Sequence, residues 1–461
     1  MAWNVLILGG GFGGLTAARR LERRLPKHSA RVTLVNDVNF MLYTPLLPGA
    51  AGGTLEPRHV VVPLREELTD TELRLGHVVS ADPARKVVRI LPADGSSEED
   101  LPYDQLIVAL GSTSRTLPVP GLREHALGFK TLSEAIALRN RVVYTMEQAE
   151  SLEDPEARRA LLSYVVVGAG YAGLEGLAEL QDFASDLVDL YPRCKMTGVR
   201  FMLVEARERV MGEIPADLAE YATAELRRRG IEVRTDTRIE RISADAVELS
   251  TGELVPARTV VWTAGVKPHP VISSLGLPLD GAGRLRADAS CAVEGHPGVW
   301  ALGDAAAVPD PTRAGQPSPP TAQHALRQAK VAADNVAGAI GGSGRRRRFR
   351  YRTLGVFVDM GRNKAVASTL GIKWRGFPAW FLARTYHLVM MPGLKRKARL
   401  LADWTVGLLF GRDSSELGQL GHPPQLDVGP GLEEHSAGGT PPEIDAPAAG
   451  SGGAPGGPGP P

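Results

Sequence analysis

The sequence predicts an α/β chain of two Rossmann-like domains followed by an amphipathic C-terminal region, and three observations in its 461 residues carry that prediction. First, VLILGGGFGG and VVVGAGYAGLE (Val165–Glu175) each run an apolar strand into a glycine-rich turn and then a helix pattern. Second, each half closes on an apolar strand that ends in glycine, LIVALG at Gly111 and TVVWTAG at Gly265, so the halves form a weak internal repeat. Third, sixteen Lys/Arg against two acids lie between Arg345 and Arg412, among large apolar residues, in a chain whose net charge is +1.

The elements follow in order. WNVLIL (3–8) reads as a buried parallel strand, LTAARRLERRL as a helix, and RVTLVN (31–36) as the next strand. Lys86 to Val108 reads as short antiparallel strands around the polar turn DGSSEED. A helix covers about Leu132 to Gln148, and SLEDPEARR, with Pro155, is a passage between domains. The second unit starts at Tyr164. Its helix follows Gly173, the excursion DFASDLVDLYPRCKMTG comes next, and RFMLVEA (200–206) is its second strand. VWALGDAAA is a strand with Asp304 at its end, DPTRAGQPSPPT a loop, AQHALRQAKVAADNVAGAI a helix and GGSGRRRR a linker. Two helices split near Pro392-Gly393 complete the last unit. From His422 the Pro/Gly/Ala-rich chain has little to bury and is expected to be disordered.

The expected domains are therefore 1–125 with 285–344, then 126–284, then 345–421, and a tail 422–461. Hydrophobic content of 43% and charged content of 23% fit a globular protein, and the net charge gives no pull toward nucleic acid. Cys194 and Cys291 form no CxxC, which argues against a disulfide scaffold, a zinc site and a local dithiol; no metal is expected. The N-terminus enters a strand at once, so no secretory signal is expected, and no apolar run is long enough to span a bilayer.

In the first turn Gly9 permits the tight bend, Gly11 lets backbone approach a pyrophosphate, and Gly14 lets helix pack on sheet; Phe12 and Gly13 complete the cradle. The helix N-terminus then offers free N–H groups to an anion. Gly168, Gly170 and Gly173 repeat the pattern. Asn36 and Glu205 end the following strands, where a ribose ligand is expected. Glu205 would accept from ribose hydroxyls and repel a 2′-phosphate, favouring NAD(H), although Arg207 and Arg209 lie close. Two cradles imply two dinucleotides, and FAD with NAD(H) as substrate is the economical pairing.

At this point the chain resembles the two-dinucleotide flavoprotein superfamily, and more closely the type II NADH:quinone dehydrogenases. The matching pieces are GGGFGG, YTPLLP, LIVALGS, VPGLREHALGFKTLSEAIALRNRV, GAGYAGLEGLAEL, VVWTAGVKPHP, ALGDAA, AQHALRQ, HLVMMPGLKRKARLLADW and LFGRD, spanning about residues 3–420. The resemblance implies that Gly9–Gly14 hold the FAD pyrophosphate and that Asp304 bonds its ribityl and phosphate region. It implies that Ala322, Gln323 and His324 lie at a quinone pocket, and that Glu175 sits where nicotinamide meets flavin. There are departures. Asn36 replaces an acidic residue, Thr44 stands where a glutamine is common before the PLL segment, and Arg327 replaces a second glutamine. Neither cysteine stands at the dithiol position of the disulfide- or sulfide-reducing branches.

The C-terminal block reads as a monotopic anchor on a membrane surface. KRKAR at the start of the last helix opposes the helix dipole, and anionic lipid would compensate. Leu394, Leu401, Trp404 and Leu408 are expected on one face. The expected activity is hydride transfer from NADH to FAD, then two electrons to a membrane quinone, at the cytoplasmic face of the plasma membrane, with Glu175 orienting the nicotinamide and handing on protons. A homodimer is left open. A soluble FAD-dependent reductase of a ferredoxin or rubredoxin and a flavin-based redox sensor are the alternatives.

Overall fold

The computed structural model describes residues 2–353 and 355–416. The expected tail, 422–461, lies outside the described residues, as do the last positions of the C-terminal region.

Trp3–Leu8 is an interior strand of a seven-stranded sheet. Ala30–Asn36 and Gln105–Val108 flank it in parallel, and Val5 pairs with Val32 on one side and Gln105 on the other. Glu72–Asp82 and Val299–Ala301 extend the parallel core. Val87–Pro92 and Glu99–Pro102 add an antiparallel edge, as the polar turn between them predicts. The first cradle helix, Phe12–Arg24, packs against Ala322–Ile340. Ala17, Ala18, Ala329, Ala332 and Ala333 are all buried. Such short side chains let the two helices approach closely. Arg20 closes their outer edge with paired 2.8 Å bonds to Asp334.

The second sheet has five strands, all parallel, in the order Ala126–Gly128, Thr259–Trp262, Ser163–Val167, Arg200–Val204, Glu232–Arg234. Its central strand is buried at every position, which is why it reads as a continuous apolar run rather than an alternation. The helix Tyr171–Leu187 runs on well into the expected excursion. Ser112–Ser114 and Val266–Pro268 pair antiparallel and carry the chain between the two sheets.

Two boundaries differ from the sequence expectation. Ile272, Leu275 and Leu277 already belong to the first core, so the chain returns to it before residue 285. The RRRR segment is no free linker. Phe349 is 2% exposed and its N–H bonds Ala289 O at 2.6 Å; Arg347 pairs with Asp334 at 2.7 Å, and Arg346 lies over Trp300.

The last unit contains an element the sequence reading did not contain. Gly355–Asp359, Ala365–Thr369 and Ile372–Gly376 form an antiparallel sheet. Its turns place Arg362-Asn363 and Leu370-Gly371 at positive φ, the type I′ geometry that matches strand twist. A glycine-containing turn between short β-branched runs was the available signal. Val358, Met360 and Val366 sink into the second core. Arg229, with 1% of its side chain exposed, binds Asp182, Gln181 and Ala178 O on the second cradle helix and Met360 O on the new sheet. Arg229→Ala leaves Asp182 buried without its principal partner. Equilibrium denaturation should show a loss of about 3–5 kcal/mol. Arg31→Ala, which breaks the exposed pair with Glu72, should cost less than about 1 kcal/mol.

Candidate functional site

The two cradles superimpose bond for bond. Gly9 N donates to Val35 O and Gly168 N to Val204 O, each at 2.8 Å. Gly9 and Gly168 take φ of +95° and +99°, a backbone only glycine adopts cheaply. A Cβ on Gly14 would lie 1.7 Å from Gly9 O, and one on Gly173 1.9 Å from Gly168 O, so each third glycine sets the strand-to-helix contact. A Cβ on Gly13 would meet the Leu302 side chain. Gly11 and Gly170 instead face open space, with nothing within 4 Å of a built Cβ. That is the gap a pyrophosphate would need. Gly111 and Gly265, at φ of +70° and +94°, also face open space at the ends of the closing strands.

Asn36 and Glu205 occupy equivalent places. Gly10 N donates to Asn36 Oδ1 and Ala169 N to Glu205 Oε2, both at 2.7 Å. Asn36 spends its amide on Val38 O, whereas Glu205 Oε1 accepts from Arg207 N. The carboxylate keeps further lone pairs for a ribose hydroxyl; the amide side chain keeps fewer. Beside the first cradle, Ser112 Oγ donates to Asp304 Oδ2 at 2.6 Å, and Lys130 Nζ donates to Ser112 Oγ at 3.1 Å. Lys130 and Ser112 were not singled out from sequence, although they lie within the matching pieces VPGLREHALGFKTLSEAIALRNRV and LIVALGS. Gln328, 1% exposed, accepts from Gly303 N at 2.8 Å and fixes the turn that carries Asp304.

Glu175 lines a cavity where the first domain, the second cradle helix, the small sheet and the C-terminal helices meet. Pro45 and Leu46 come from the first domain, Glu175 and Glu179 from the second cradle helix, Asp359 from the new sheet, and Arg384 and His387 from the C-terminal helices. Asp359 N donates to Glu175 Oε1 at 3.0 Å. Burial pushes the Glu175 carboxyl up to about 8, aided by the like charges of Asp359 and Glu179 and opposed by that N–H. Burial likewise raises Glu179 to about 7 against the pull of Arg412, and lowers His387 to about 4. Tyr43 links this cavity to the first cradle: its ring meets Phe12 edge-on, and its hydroxyl lies 3.4 Å from His387 Nδ1.

The expected quinone residues do not themselves line this cavity. His324 is buried, bonded to Thr321 Oγ1 at 2.7 Å and packed edge-on against Tyr351, so its ring faces protein rather than a cavity. Gln323 donates to Gly355 O and accepts from the Tyr351 hydroxyl, while Arg327 stacks on the Tyr351 ring at 3.9 Å. Ala322 starts that helix, and Gly303 lies against Ala325 one turn on, so the helix start sits beside the Asp304 turn. Thr44 opens a short turn whose next residues, Pro45 and Leu46, line the cavity.

The family of pyridine nucleotide-disulphide oxidoreductases matches residues 3–329. The type II NADH:quinone oxidoreductase Ndh of Mycobacterium tuberculosis is 30% identical over 431 residues, covering 90% of this chain and 89% of its own. The chain belongs to the pyridine nucleotide-disulphide oxidoreductases, in their type II NADH dehydrogenase branch. The demethylphylloquinone reductase NdbB of a Synechocystis species is 32% identical over 419 residues, 87% of this chain and 97% of its own. The structure of NDH2 from Plasmodium falciparum in complex with NADH shares the fold, with a TM-score of 0.81 at 17% identity over 90% of this chain and all of that one. Despite the family's name, Cys194 and Cys291 are free, buried and in separate cores. No cluster of three His, Cys, Asp or Glu that could hold a metal occurs among the described residues.

The C-terminal helices, Phe377–Met390 and Leu394–Phe410, split as the Pro392-Gly393 step predicts. The expected single face does not survive. Leu394, Leu401 and Leu408 are 83%, 55% and 65% exposed, whereas Trp404 is 9% exposed and packs inward with Leu400. The KRKAR bases are also divided. Arg396 is buried and donates to Arg58 O at 2.8 Å, and Lys397 donates to Val389 O at 2.8 Å, while Lys395 and Arg399 are exposed. Asp403 anchors the last helix by accepting from His59 Nδ1 at 2.7 Å and Glu56 N at 3.2 Å. No described helix is long and apolar enough to cross a membrane.

The raised Glu175 carboxyl makes a stability prediction. The folded chain holds this proton more tightly than the unfolded chain does. Below the ordinary carboxylate range both states are protonated and nothing is lost; from there to about 8 rising pH weakens the fold. Glu175→Gln keeps the acceptor for Asp359 N and carries no charge. It should match the wild type near about pH 4.5 and exceed it by roughly 1–3 kcal/mol above about pH 9, read by denaturation at both pH values.

Proposed function

We propose that the chain is a membrane-associated NADH:quinone oxidoreductase that holds FAD in its first cradle and takes NADH in its second. The observation that carries this reading is the pair of matching cradles in one chain. The open face at Gly11, the positive-φ turn at Gly9 and the Asp304–Ser112–Lys130 group fit a pyrophosphate and a polyhydroxyl chain. When bound there, FAD supplies a hydride acceptor and a two-electron donor.

The chain's own residues do the rest. Gly170 leaves room for the NADH pyrophosphate, and Glu205 accepts from the adenosine ribose while its charge repels a 2′-phosphate, favouring NADH over NADPH. Glu175 orients the nicotinamide edge and, with a carboxyl poised near neutrality, holds a proton for the quinone. Thr44 and Gln323 with Ala322 are proposed at the quinone side; His324 is not, because its ring is already bonded and buried. His387, which lines the cavity, is better placed to meet a quinone ring, with Tyr43 behind it linking it to Phe12.

The exposed apolar residues of the C-terminal helices, Phe377, Phe381, Leu401, Leu408, Leu409 and Phe410 among them, support docking in a membrane interface with the exposed bases. The cytoplasmic face is the side where NADH is available. A soluble reductase of a protein acceptor has no use for so much exposed apolar surface.

Removing residues 345–416 would uncover both cores, so point variants are the membrane test. Phe381→Glu with Leu408→Glu should cut sedimentation with anionic vesicles roughly tenfold and leave reduction of a water-soluble quinone unchanged. In the anaerobic test of function, the purified protein shows a flavin spectrum, NADH bleaches it and a short-chain quinone restores it. Bleaching that quinone fails to reverse would sink the reading. Gly170→Ala adds a methyl group to the open face without meeting protein. It should raise the KM for NADH several-fold while the denaturation midpoint stays put.

A further inference from the structure

The C-terminal helices wall a second cavity of about 260 Å³, which adjoins the one at Glu175 and shares Arg384 and Trp404 with it. Gly407 and Leu408 line it from the last helix, Arg362 from a turn of the small sheet and Asp186 from the second cradle helix. Drug-sized ligands occupy roughly 300–1,000 Å³, so this cavity suits a smaller, polar group.

Its charges are of both signs, and most are already committed. Arg412 holds Glu179 at 3.2 Å and Asp186 Oδ2 at 3.1 Å, Arg384 lies over the rings of Trp380 and Trp404, and Asp182 is bound by Arg229 and Arg362. Two groups keep spare capacity. Arg362 has 52% of its side chain exposed and gives its Nε–H to Asp182 Oδ1 at 3.1 Å; among the described residues nothing accepts from its terminal nitrogens. Asp186 has 58% of its side chain exposed, and among the described residues nothing donates to its Oδ1. One cavity thus offers a free guanidinium fork, which suits a phosphate, and a free carboxylate oxygen, which suits an ammonium.

The last helix, Leu394–Phe410, carries a glycine that the chain's own packing does not require. A Cβ built on Gly407 meets nothing within 4 Å. Glycine in a helix interior costs about 1 kcal/mol relative to alanine, so a bare position there needs a reason. Gly411, on the same cavity, also faces open space. The room these glycines leave is not filled by the chain. Beside them Leu408 lines the cavity and is largely exposed, as are Leu401, Leu409 and Phe410 of the same helix. Polar space bordered by exposed apolar surface fits an amphiphile with its headgroup inside and its chains outside.

We propose, building on the membrane docking inferred above, that this cavity holds the headgroup of a phospholipid bearing a primary amine, a phosphatidylethanolamine. Arg362 donates to the phosphate, Asp186 Oδ1 accepts from the ammonium, and the opening at Gly407 admits the headgroup while the acyl chains lie along Leu401, Leu408 and Phe410. The amine decides between lipids. A primary ammonium has three N–H donors for a carboxylate, and the trimethylammonium of a choline lipid has none. A glycerol headgroup brings no positive charge to Asp186. Trp380 and Trp404 suit the same depth, since amphipathic rings favour the headgroup level of a bilayer.

The test uses the purified full-length protein and two kinds of vesicle with the same phosphatidylglycerol content, one completed with phosphatidylethanolamine and the other with phosphatidylcholine. In flotation, the dissociation constant should be roughly tenfold lower for the ethanolamine vesicles, the scale of one charge-assisted hydrogen bond. Ethanolamine and choline lipids also pack differently, so the ratio of the two constants is compared across variants. Asp186→Asn, which removes the charge at an exposed position, and Gly407→Leu, which fills the opening, should bring the two constants together by weakening binding to the ethanolamine vesicles alone. A wild-type ratio of one, or an unchanged ratio in the variants, overturns the site. So does a Gly407→Leu protein that reduces a water-soluble quinone more slowly while keeping the vesicle ratio, because the cavity is then a quinone passage. Asp186→Asn decides the matter if Gly407→Leu fails to fold. The readout needs neither NADH nor quinone. A protein that prefers ethanolamine vesicles but is not reoxidised by quinone supports the site and overturns the proposed function; one that quinone reoxidises and that binds both vesicles alike overturns the site alone.

Discussion

The buried ionic contacts along the second cradle helix are the constraint on which the rest of the site depends. Asp182 and Glu179 cannot sit inside the protein without cations, and the cations come from three separate parts of the chain. Arg229 lies just past the helix Ala216–Arg228, Arg362 is in a turn of the small sheet, and Arg412 follows the last helix. Satisfying two carboxylates thus pulls the small sheet and the residues just after the last helix onto the second cradle's half. Arg139 completes the attachment by donating to the carbonyls of Asp413 and Ser415. The cavity at Glu175 is a consequence of that closure, since its far wall consists of residues delivered by these contacts.

The cradles show how one backbone solution serves two roles. Their hydrogen bonds and glycine contacts correspond, because a strand entering a helix over an anion leaves almost no geometric freedom. What differs is the side chain that ties down the turn. Glu205 brings a charge to the second cradle, and Asn36 brings none to the first. Asp304, held by Ser112 and backed by Lys130, supplies the carboxylate on that side.

The C-terminal helices are amphipathic in a divided sense. One side is committed to the protein through Leu400, Trp404, Arg396 and Asp403, and the other presents leucines and phenylalanines to the outside. Arg384 lies over both Trp380 and Trp404, so a cation fills the junction between the helices and reaches the carboxylates behind them. The surface read as a membrane dock and the enclosed site at Glu175 are therefore two sides of one thin layer.

By itself the sequence determined the two βαβ units, the glycines that shape them, the strand-end positions of Asn36 and Glu205, and the break at Pro392-Gly393. Each depends on local sterics and on a periodicity that a few residues display. Tertiary structure alone decided which faces were spent on the protein. Trp404 turned inward, away from Leu401 and Leu408, because Asp403 beside it is bound by His59, 344 positions earlier. His324 and Gln323 were taken up by Thr321, Tyr351 and Gly355, and the arginine run by Asp334 and Asn335. The sequence singled out Glu175, but nothing in it marked Glu179 and Asp182 on the same helix as its buried neighbours. Only the arrival of Asp359, Arg384 and Arg412 stripped them of water, and it is that loss of water that raises Glu175 and Glu179 toward neutrality.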